Sequence, residues 1–302
     1  MKDSMKTNFE YLQSRVKNSL YSSDLEKINY ELSKIESPIL ISGVGGSSVV
    51  STFASRVLNE KNKIITKCVE PRDLLYMNKN GFKSVLACSY SGNNYGVMVS
   101  FLNDLKHYLL SSKEDVLDDI IALTYRCDSL EQSFISLSST LIPCSVLLSY
   151  YLDNLDFIDY IKEYNFDFEI SGDAYEIFTG IENSASAKYL ESTLVEAGLG
   201  LPIIHDKYSF CHGRSTLSTV YNNICIYFNT NTELDRTLIS ELSKCYKDVV
   251  ILDTSSSILD EYILLIKCMY LTKYIALRQN KDLSRVVYNP LAKKIYNFKG
   301  EM

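Results

Sequence analysis

Residues 39–48 read ILISGVGGSS and residues 85–94 read VLACSYSGNN, and these two stretches decide the fold. Each begins as a short apolar run that predicts a buried strand, and each continues into glycines and serines that open a helix. A turn of this kind presents backbone N–H groups and hydroxyls at a helix N-terminus, where a phosphate group binds well. The pattern therefore predicts a parallel α/β sheet that carries an anion-binding site.

The two loops differ in how specifically their sequences indicate a phosphate site. The first loop has neither the GxGxxG spacing of a dinucleotide site nor the GK[ST] of a P-loop, and alone it is equally typical of an ordinary turn. In the second loop two serines flank a tyrosine and an asparagine can cap the next helix, so a simple helix cap is the alternative. Because both loops occur together, we favour a phosphate site. The predicted binding residues are Gly45, Gly46, Ser47, Ser89, Tyr90, Ser91 and Asn94.

Strand and helix signals alternate twice along the chain. Continuous apolar strands between helices predict a parallel sheet flanked by helices in three layers, as in flavodoxin-like folds. We expect a helical lead-in over residues 1–36, one α/β domain over residues 37–155 and a second, with a C-terminal tail, over residues 156–302. Further predictions are a long helix over residues 95–110, a short strand over residues 140–143 and a linker helix over residues 151–173.

Composition narrows the class of protein. The 302 residues are 46% hydrophobic and 23% charged, as in a globular chain, and the net charge of −6 disfavours nucleic-acid binding. No apolar run approaches the length of a membrane span, and the N-terminus lacks the apolar segment of a secretory signal. The eight cysteines are scattered singly, which predicts reduced thiols in a cytoplasmic protein, and no cluster has metal-ligand spacing.

Two later segments supply acid/base side chains. Residues 191–213 read ESTLVEAGLGLPIIHDKYSFCHG, and residues 289–294 read NPLAKK. Glu196 is predicted near a helix C-terminus, where the helix dipole and partial burial raise a carboxyl pKa toward that of a useful base. His212 precedes a glycine on a loop and can act as an acid or base near neutral pH. The alternatives are a solvated helix-end glutamate and a surface histidine.

These four segments, in this order, resemble the sugar isomerase (SIS) domains of phosphosugar-binding proteins. The second-half segment and the tail are similar to those of the isomerase domain of glucosamine-6-phosphate synthase and of sugar-phosphate deglycases. The motif SYSGN, at residues 89–93, is also similar to the corresponding loop of the small phosphoglucose/phosphomannose isomerases. The sequence departs from the family pattern at Asn94 (usually Thr), at Ser209 (often acidic) and at Arg214 (usually Pro), which affects the substrate more than the fold.

The resemblance implies two SIS domains and a catalytic set of Glu196, His212 and Lys293. It also implies a homodimer with a shared active site, in which His212 is donated across the interface, and a reaction that needs no metal or organic cofactor. Arg214 follows His-Gly and is a candidate for contact with an anionic substrate group or, equally, for a structural ion pair.

Two functions are compatible with this reading. The first is an aldose–ketose isomerase, or an amine-releasing deglycase or deaminase, that acts on a sugar 6-phosphate through an enediol or enediolamine. In it His212 opens the ring, Glu196 moves the proton between C1 and C2, and Lys293 stabilises an oxyanion or forms a Schiff base. The alternative is a catalytically silent sugar-phosphate sensor. Against the sensor, the sequence shows no DNA-binding helix-turn-helix before residue 38 and retains all three catalytic residues.

Overall fold

The computed structural model describes residues 8–113, 118–127, 135–170, 172, 174–219 and 223–284. Helices α1 (Leu12–Ser22) and α2 (Leu25–Ser33) lie before the first strand. They bury Leu12, Val16 and Leu20 of α1 and Ile28 and Leu32 of α2, because these residues share one face at helical spacing. Within the described ranges, none of the helices has the length and hydrophobicity that a membrane span needs.

The first sheet contains five parallel strands. They are β1 (Ile39–Ser42), β2 (Thr66–Val69), β3 (Ser84–Cys88), β4 (Lys106–Ser111) and β5 (Ile120–Thr124). Their order is β2-β1-β3-β4-β5, with Ile39 of β1 opposite both Thr66 and Ser84. Every residue of β1 and β3 is buried, as expected for central strands covered on both faces. The helices of this half are α3 (Gly46–Asn62), α4 (Tyr95–Ser100) and α5 (Ser138–Leu152).

The second sheet repeats this arrangement with four parallel strands. They are β6 (Ala174–Thr179), β7 (Leu201–Asp206), β8 (Ile224–Asn229) and β9 (Asp248–Asp253), in the order β7-β6-β8-β9. The helices are α6 (Ser184–Glu196), α7 (Glu233–Cys245) and α8 (Ile258–Arg278). Because the first four strands of each half have the same spatial order, β6 corresponds to β1 and β8 to β3. The predicted fold of two parallel sheets flanked by helices is therefore confirmed.

One core joins the two halves. Helix α3 packs against α5 and α6, and α6 packs against α8. The largest hydrophobic cluster accordingly contains residues from both sheets, among them Leu86 and Ile226. At the same junction Nη1 of Arg56 on α3 lies 2.6 Å from Oε2 of the buried Glu261 on α8. Oε1 of Glu261 also accepts hydrogen bonds from the first backbone N–H groups of α6.

The predicted helix over residues 95–110 is wrong, because α4 ends at Ser100 and β4 begins at Lys106. The side chain of Asn103 donates to the carbonyl of Ser100 and accepts from the N–H of Leu105, at 2.8 and 3.0 Å. An Asn–Asp turn therefore separates the two elements.

Two further predictions of local structure are wrong. Residues 140–143 belong to α5, whose apolar run is buried on all sides and so cannot be distinguished from a strand by periodicity. In place of the linker helix predicted over residues 151–173, α5 ends at Leu152, a 3₁₀ turn spans Asp156–Tyr160, and residues 161–170 have no regular secondary structure. That segment is held by aromatic packing of Phe166 and Phe168 on Tyr274 of α8.

Candidate active site

The first glycine loop connects β1 to α3 and leaves the start of the helix open. The N-cap is Gly45, with a φ of 58°, a conformation that side-chain-bearing residues rarely adopt. No described side chain caps α3. A Cβ on Gly43 would lie 2.3 Å from the carbonyl oxygen of Ser47, so the chain can make this turn only with glycine. The N–H groups of Ser47 and Ser48 donate to the carbonyls of Val44 and Gly45, so an anion here would be bound by the N–H of Gly46 and by the positive end of the helix dipole.

The second loop, between β3 and α4, is held by its own polar side chains. Oγ of the buried Ser89 accepts hydrogen bonds from the N–H of Gly92 and from Nδ2 of Asn94, at 3.2 and 3.1 Å. Asn94 also caps α4, because its Oδ1 accepts from the N–H of Val97 at 2.9 Å. Ser91 is exposed at the tip. Ser89 and Asn94 therefore shape the loop, and the hydroxyl of Ser91 is turned toward solvent.

The two loops meet at the carboxyl ends of β1 and β3. A Cβ on Gly96 would lie 2.9 Å from Cγ2 of Val44 in the first loop and 3.2 Å from Oδ1 of Asn94 in the second. The loops thus touch across the start of α4. Open α/β sheets bind their ligands at this edge. The hydroxyl of Tyr90 lies 3.3 Å from Sγ of Cys127, in the segment that follows β5 at the same edge of the sheet.

A cleft of about 410 Å³ opens beside the first loop, between the start of α3 and one face of α6. This volume is within the range that small-molecule sites occupy. The residues that line it are Gly45, Ser48, Lys188, Glu191, Ser192, Val195 and Glu196. The cleft therefore brings Glu196 of the second half to the glycine loop of the first half.

Glu196 is the last residue of α6 and is exposed to the cleft. Partial desolvation of its carboxyl raises the pKa, and a hydrogen bond from Oγ of Ser192 to Oε1, at 2.9 Å, opposes that increase. A carboxylate with a raised pKa accepts protons more readily, which suits a general base. Sequence reasoning missed Ser192, although its position four residues before Glu196 places both on one face of a helix.

Ser192→Ala should shift the pH dependence of any reaction that uses Glu196 as a base. The hydroxyl lowers the carboxyl pKa, so its removal should raise that pKa further. Because only the ionised carboxylate accepts a proton, the acidic limb of kcat/KM should move to higher pH. The measurement is the pH profile of wild type and variant. An unmoved acidic limb would show that Ser192 does not tune the base.

His212 and Arg214 lie in the segment that follows β7. Both are exposed, and neither is among the described residues that line the cleft. The N–H of His212 donates to the carbonyl of Ser209 at 3.0 Å, which places the histidine in a turn. Nη1 of Arg214 donates to the carbonyl of Ile204 at 3.2 Å and lies 3.5 Å from Nδ1 of His205. The structure therefore brings Glu196 to the first loop and leaves His212 outside the cleft that Glu196 lines.

The catalytic and binding roles of all the predicted site residues stay predictions. Lys293 and the rest of the NPLAKK tail lie outside the described residues. Substrate contact by Arg214 is not tested by its contacts with β7. Among the described residues, no group of three or more His, Cys, Asp or Glu side chains is arranged to hold a metal ion.

In the second half a carboxylate fills the position that corresponds to the second loop of the first half. The loop after β8 corresponds to the loop after β3, and there the buried Asp235 accepts hydrogen bonds from the backbone N–H and the hydroxyl of both Thr230 and Thr232. Nζ of the buried Lys207 lies 3.0 Å away. Burial would raise the pKa of Asp235, but these bonds together lower it.

Comparison with solved structures shows which known proteins share this fold. Glucosamine-6-phosphate deaminase from Thermotoga maritima has a TM-score of 0.74 at 13% identity, over 95% of this chain and 98% of that one. Tagatose-6-phosphate ketose/aldose isomerase from Escherichia coli has a TM-score of 0.73 at 14% identity, over 95% and 96%. The C-terminal domain of glucosamine-fructose-6-phosphate aminotransferase from Francisella tularensis has a TM-score of 0.68 at 13% identity, over 94% and 98%.

These similarities concern the fold. A comparison with protein-family models finds no match, and a comparison with curated proteins finds none either. At 13–14% identity the likeness covers nearly the whole of both chains and confirms a double sugar-isomerase type of fold. The class that fold and site define is thus a two-sheet α/β protein with a cleft between its halves.

Proposed function

We propose that this protein is an enzyme that moves a proton between C1 and C2 of a sugar 6-phosphate. The observation that carries the proposal is the cleft between the halves. It places a carboxylate with a raised pKa, Glu196, beside an uncapped helix N-terminus at Gly45. A phosphate site next to a general base is what an isomerase, or a deaminase working through the same intermediate, requires.

The residues take the roles that the sequence suggested. The phosphate is bound at the meeting point of the loops, by the backbone N–H of Gly46 and by the hydroxyls of Ser47, Ser89 and Ser91. Glu196 carries the proton between the two carbons. His212 opens the ring, and Lys293 stabilises the oxyanion or forms a Schiff base. Since His212 lies outside the cleft of its own chain, we assign it to the cleft of a second copy, which makes the protein a homodimer.

The structural neighbours support both reaction classes. One of them is a ketose/aldose isomerase and another is a deaminase, and each acts, by its name, on a sugar 6-phosphate. The two reactions share their proton transfer and differ in what is attached at the reacting carbons. The fold therefore supports the proton transfer that the two reactions share. It does not favour one reaction over the other.

The test is proton exchange in D₂O. Wild-type protein should be incubated with hexose, hexosamine and glycated amino-acid 6-phosphates, and deuterium at C1 or C2 measured by NMR. We expect at least one ligand to exchange, whatever the final product. If the protein bound a sugar phosphate tightly but exchanged no proton at any pH, the proposed enzymatic function would be wrong and the sensor function would be favoured.

A further inference from the structure

A buried acid–histidine pair lies in the second sheet, and neither residue is among the described residues that line the cleft. Oε2 of Glu176 on β6 lies 2.8 Å from Nε2 of His205 on β7, and both side chains are fully buried. The carboxylate also accepts hydrogen bonds from Nδ2 of Asn223 and from the hydroxyl of Tyr246, each at 2.6 Å. Burial would raise the pKa of Glu176, but its partners together lower that pKa, so the carboxyl is ionised at neutral pH.

The ionised carboxylate determines which nitrogen of His205 carries a proton. At 2.8 Å an unprotonated Nε2 would repel the carboxylate oxygen, so Nε2 holds the hydrogen, although its N–H is not aligned with Oε2. In the neutral ring this leaves a lone pair on Nδ1. Nη1 of Arg214 lies 3.5 Å from Nδ1, and a guanidinium can only donate. A doubly protonated ring would place two cations against each other, so the contact with Arg214 favours the neutral ring.

His205 also contacts the turn that carries His212, on both sides of that histidine. Two residues before His212, the buried ring of Phe210 packs edge-to-face on His205, with 5.1 Å between the ring centroids. Two residues after it, Nη1 of Arg214 donates to the carbonyl of Ile204 and approaches Nδ1 of His205. Backbone hydrogen bonds inside the turn join residues that are near in sequence, so they fix its shape and not its place on the sheet. The two side-chain contacts tie the turn to β7.

We infer that His205 is a positioning residue that holds His212 in place through Phe210 and Arg214. The inference rests on the proposed function, in which His212 opens the sugar ring. Arg214 then orients the turn, and it forms no ion pair with any carboxylate among the described residues. A buried ion pair adds little net stability compared with apolar side chains of similar volume. The consequence of the Glu176–His205 pair therefore lies in what it orients.

The first variant is Arg214→Met, which removes the contact with His205 at an exposed position and so should fold as wild type does. The probes are the ketose 6-phosphate that wild type exchanges fastest, beginning with fructose 6-phosphate, and its 5-deoxy derivative. The derivative has no hydroxyl that can close a five- or six-membered ring, so it needs no ring opening. The variant should lose about tenfold to a hundredfold of the exchange rate with the cyclic sugar. It should keep the wild-type rate with the 5-deoxy sugar and bind both with unchanged affinity.

A second variant tests whether His205 acts through Arg214. His205→Gln can still donate to Glu176 from its amide nitrogen but places no acceptor at the position of Nδ1. It should show the same selective loss, and the double variant with Arg214→Met should be no slower than His205→Gln alone. Arg236→Met is the matched control, because it removes an exposed arginine on α7 that donates to the carbonyl of Asn231 at 3.1 Å. The control should change neither rate nor affinity.

The inference is overturned by results of three kinds. Weaker binding of the sugar phosphate by Arg214→Met would mean that the guanidinium binds the substrate. Equal losses with the cyclic and the 5-deoxy sugar, or wild-type rates with both, would mean that Arg214 does not act on ring opening. Additive losses in the double variant would mean that His205 and Arg214 act separately. In each case exchange by wild type still supports the proposed function, whereas exchange of no ketose 6-phosphate by wild type would overturn both.

Discussion

Replacing Glu196 by glutamine is expected to leave ligand binding intact while exchange of the substrate's C1 or C2 proton falls by about 10²–10⁴-fold, the usual contribution of a general base. Glutamine keeps the size of the side chain and can still accept the hydrogen bond from Ser192. It cannot accept a proton. The measurement is the rate of deuterium incorporation at saturating ligand, together with the dissociation constant from calorimetry.

The control for this variant is Glu241→Gln, which removes an exposed carboxylate on α7. It should change neither binding nor exchange. If Glu196→Gln exchanged protons at the wild-type rate, the base would be another residue, and the raised pKa of Glu196 would have no role in the chemistry. If it lost binding as well, the carboxylate would serve to hold the ligand and not to accept its proton.

The fold could be predicted from the sequence because its deciding features are local. A buried strand that runs into a glycine-serine turn and a helix is visible in ten residues, and two such stretches place a parallel sheet. The errors arose where local signals were ambiguous. The apolar run of α5 has no periodicity, and β4 was read as the continuation of α4 because the signal of the Asn103 turn was overlooked.

The site could be predicted only in part, because its cleft depends on how two distant helices pack. Glu196 was predicted from its place near a helix end and from the family resemblance. Nothing in the sequence places Lys188 beside Thr52, or Gly45 beside Glu196, since these contacts follow from the antiparallel packing of α3 and α6. The structural role of Asp235 was not predicted either, because it too depends on a contact between residues that are distant in the sequence. Its partner Lys207 lies in the turn after β7, 28 residues before Asp235 on α7, and the two side chains meet only in the folded core.

The double variant Ser89→Ala with Ser91→Ala is expected to weaken binding of a sugar 6-phosphate by roughly 10²–10⁴-fold. Each hydrogen bond to a charged group is worth about 1.5–3 kcal/mol, and two are removed. The two serines contribute differently. Ser91 is exposed at the loop tip, so its single variant should lose affinity without loss of stability. Ser89 also accepts bonds from Gly92 and Asn94, so its variant should in addition loosen the loop.

The corresponding loop of the second half provides the control. Thr230→Val removes the hydroxyl that lies 2.7 Å from Oδ2 of Asp235 and 2.9 Å from Nζ of Lys207. Because this loop already holds an internal carboxylate, the variant should lower the free energy of unfolding by about 1–3 kcal/mol and leave ligand affinity unchanged. Calorimetry should accordingly give one sugar phosphate per chain. Two sites per chain, or full affinity in the double serine variant, would show that the phosphate binds elsewhere.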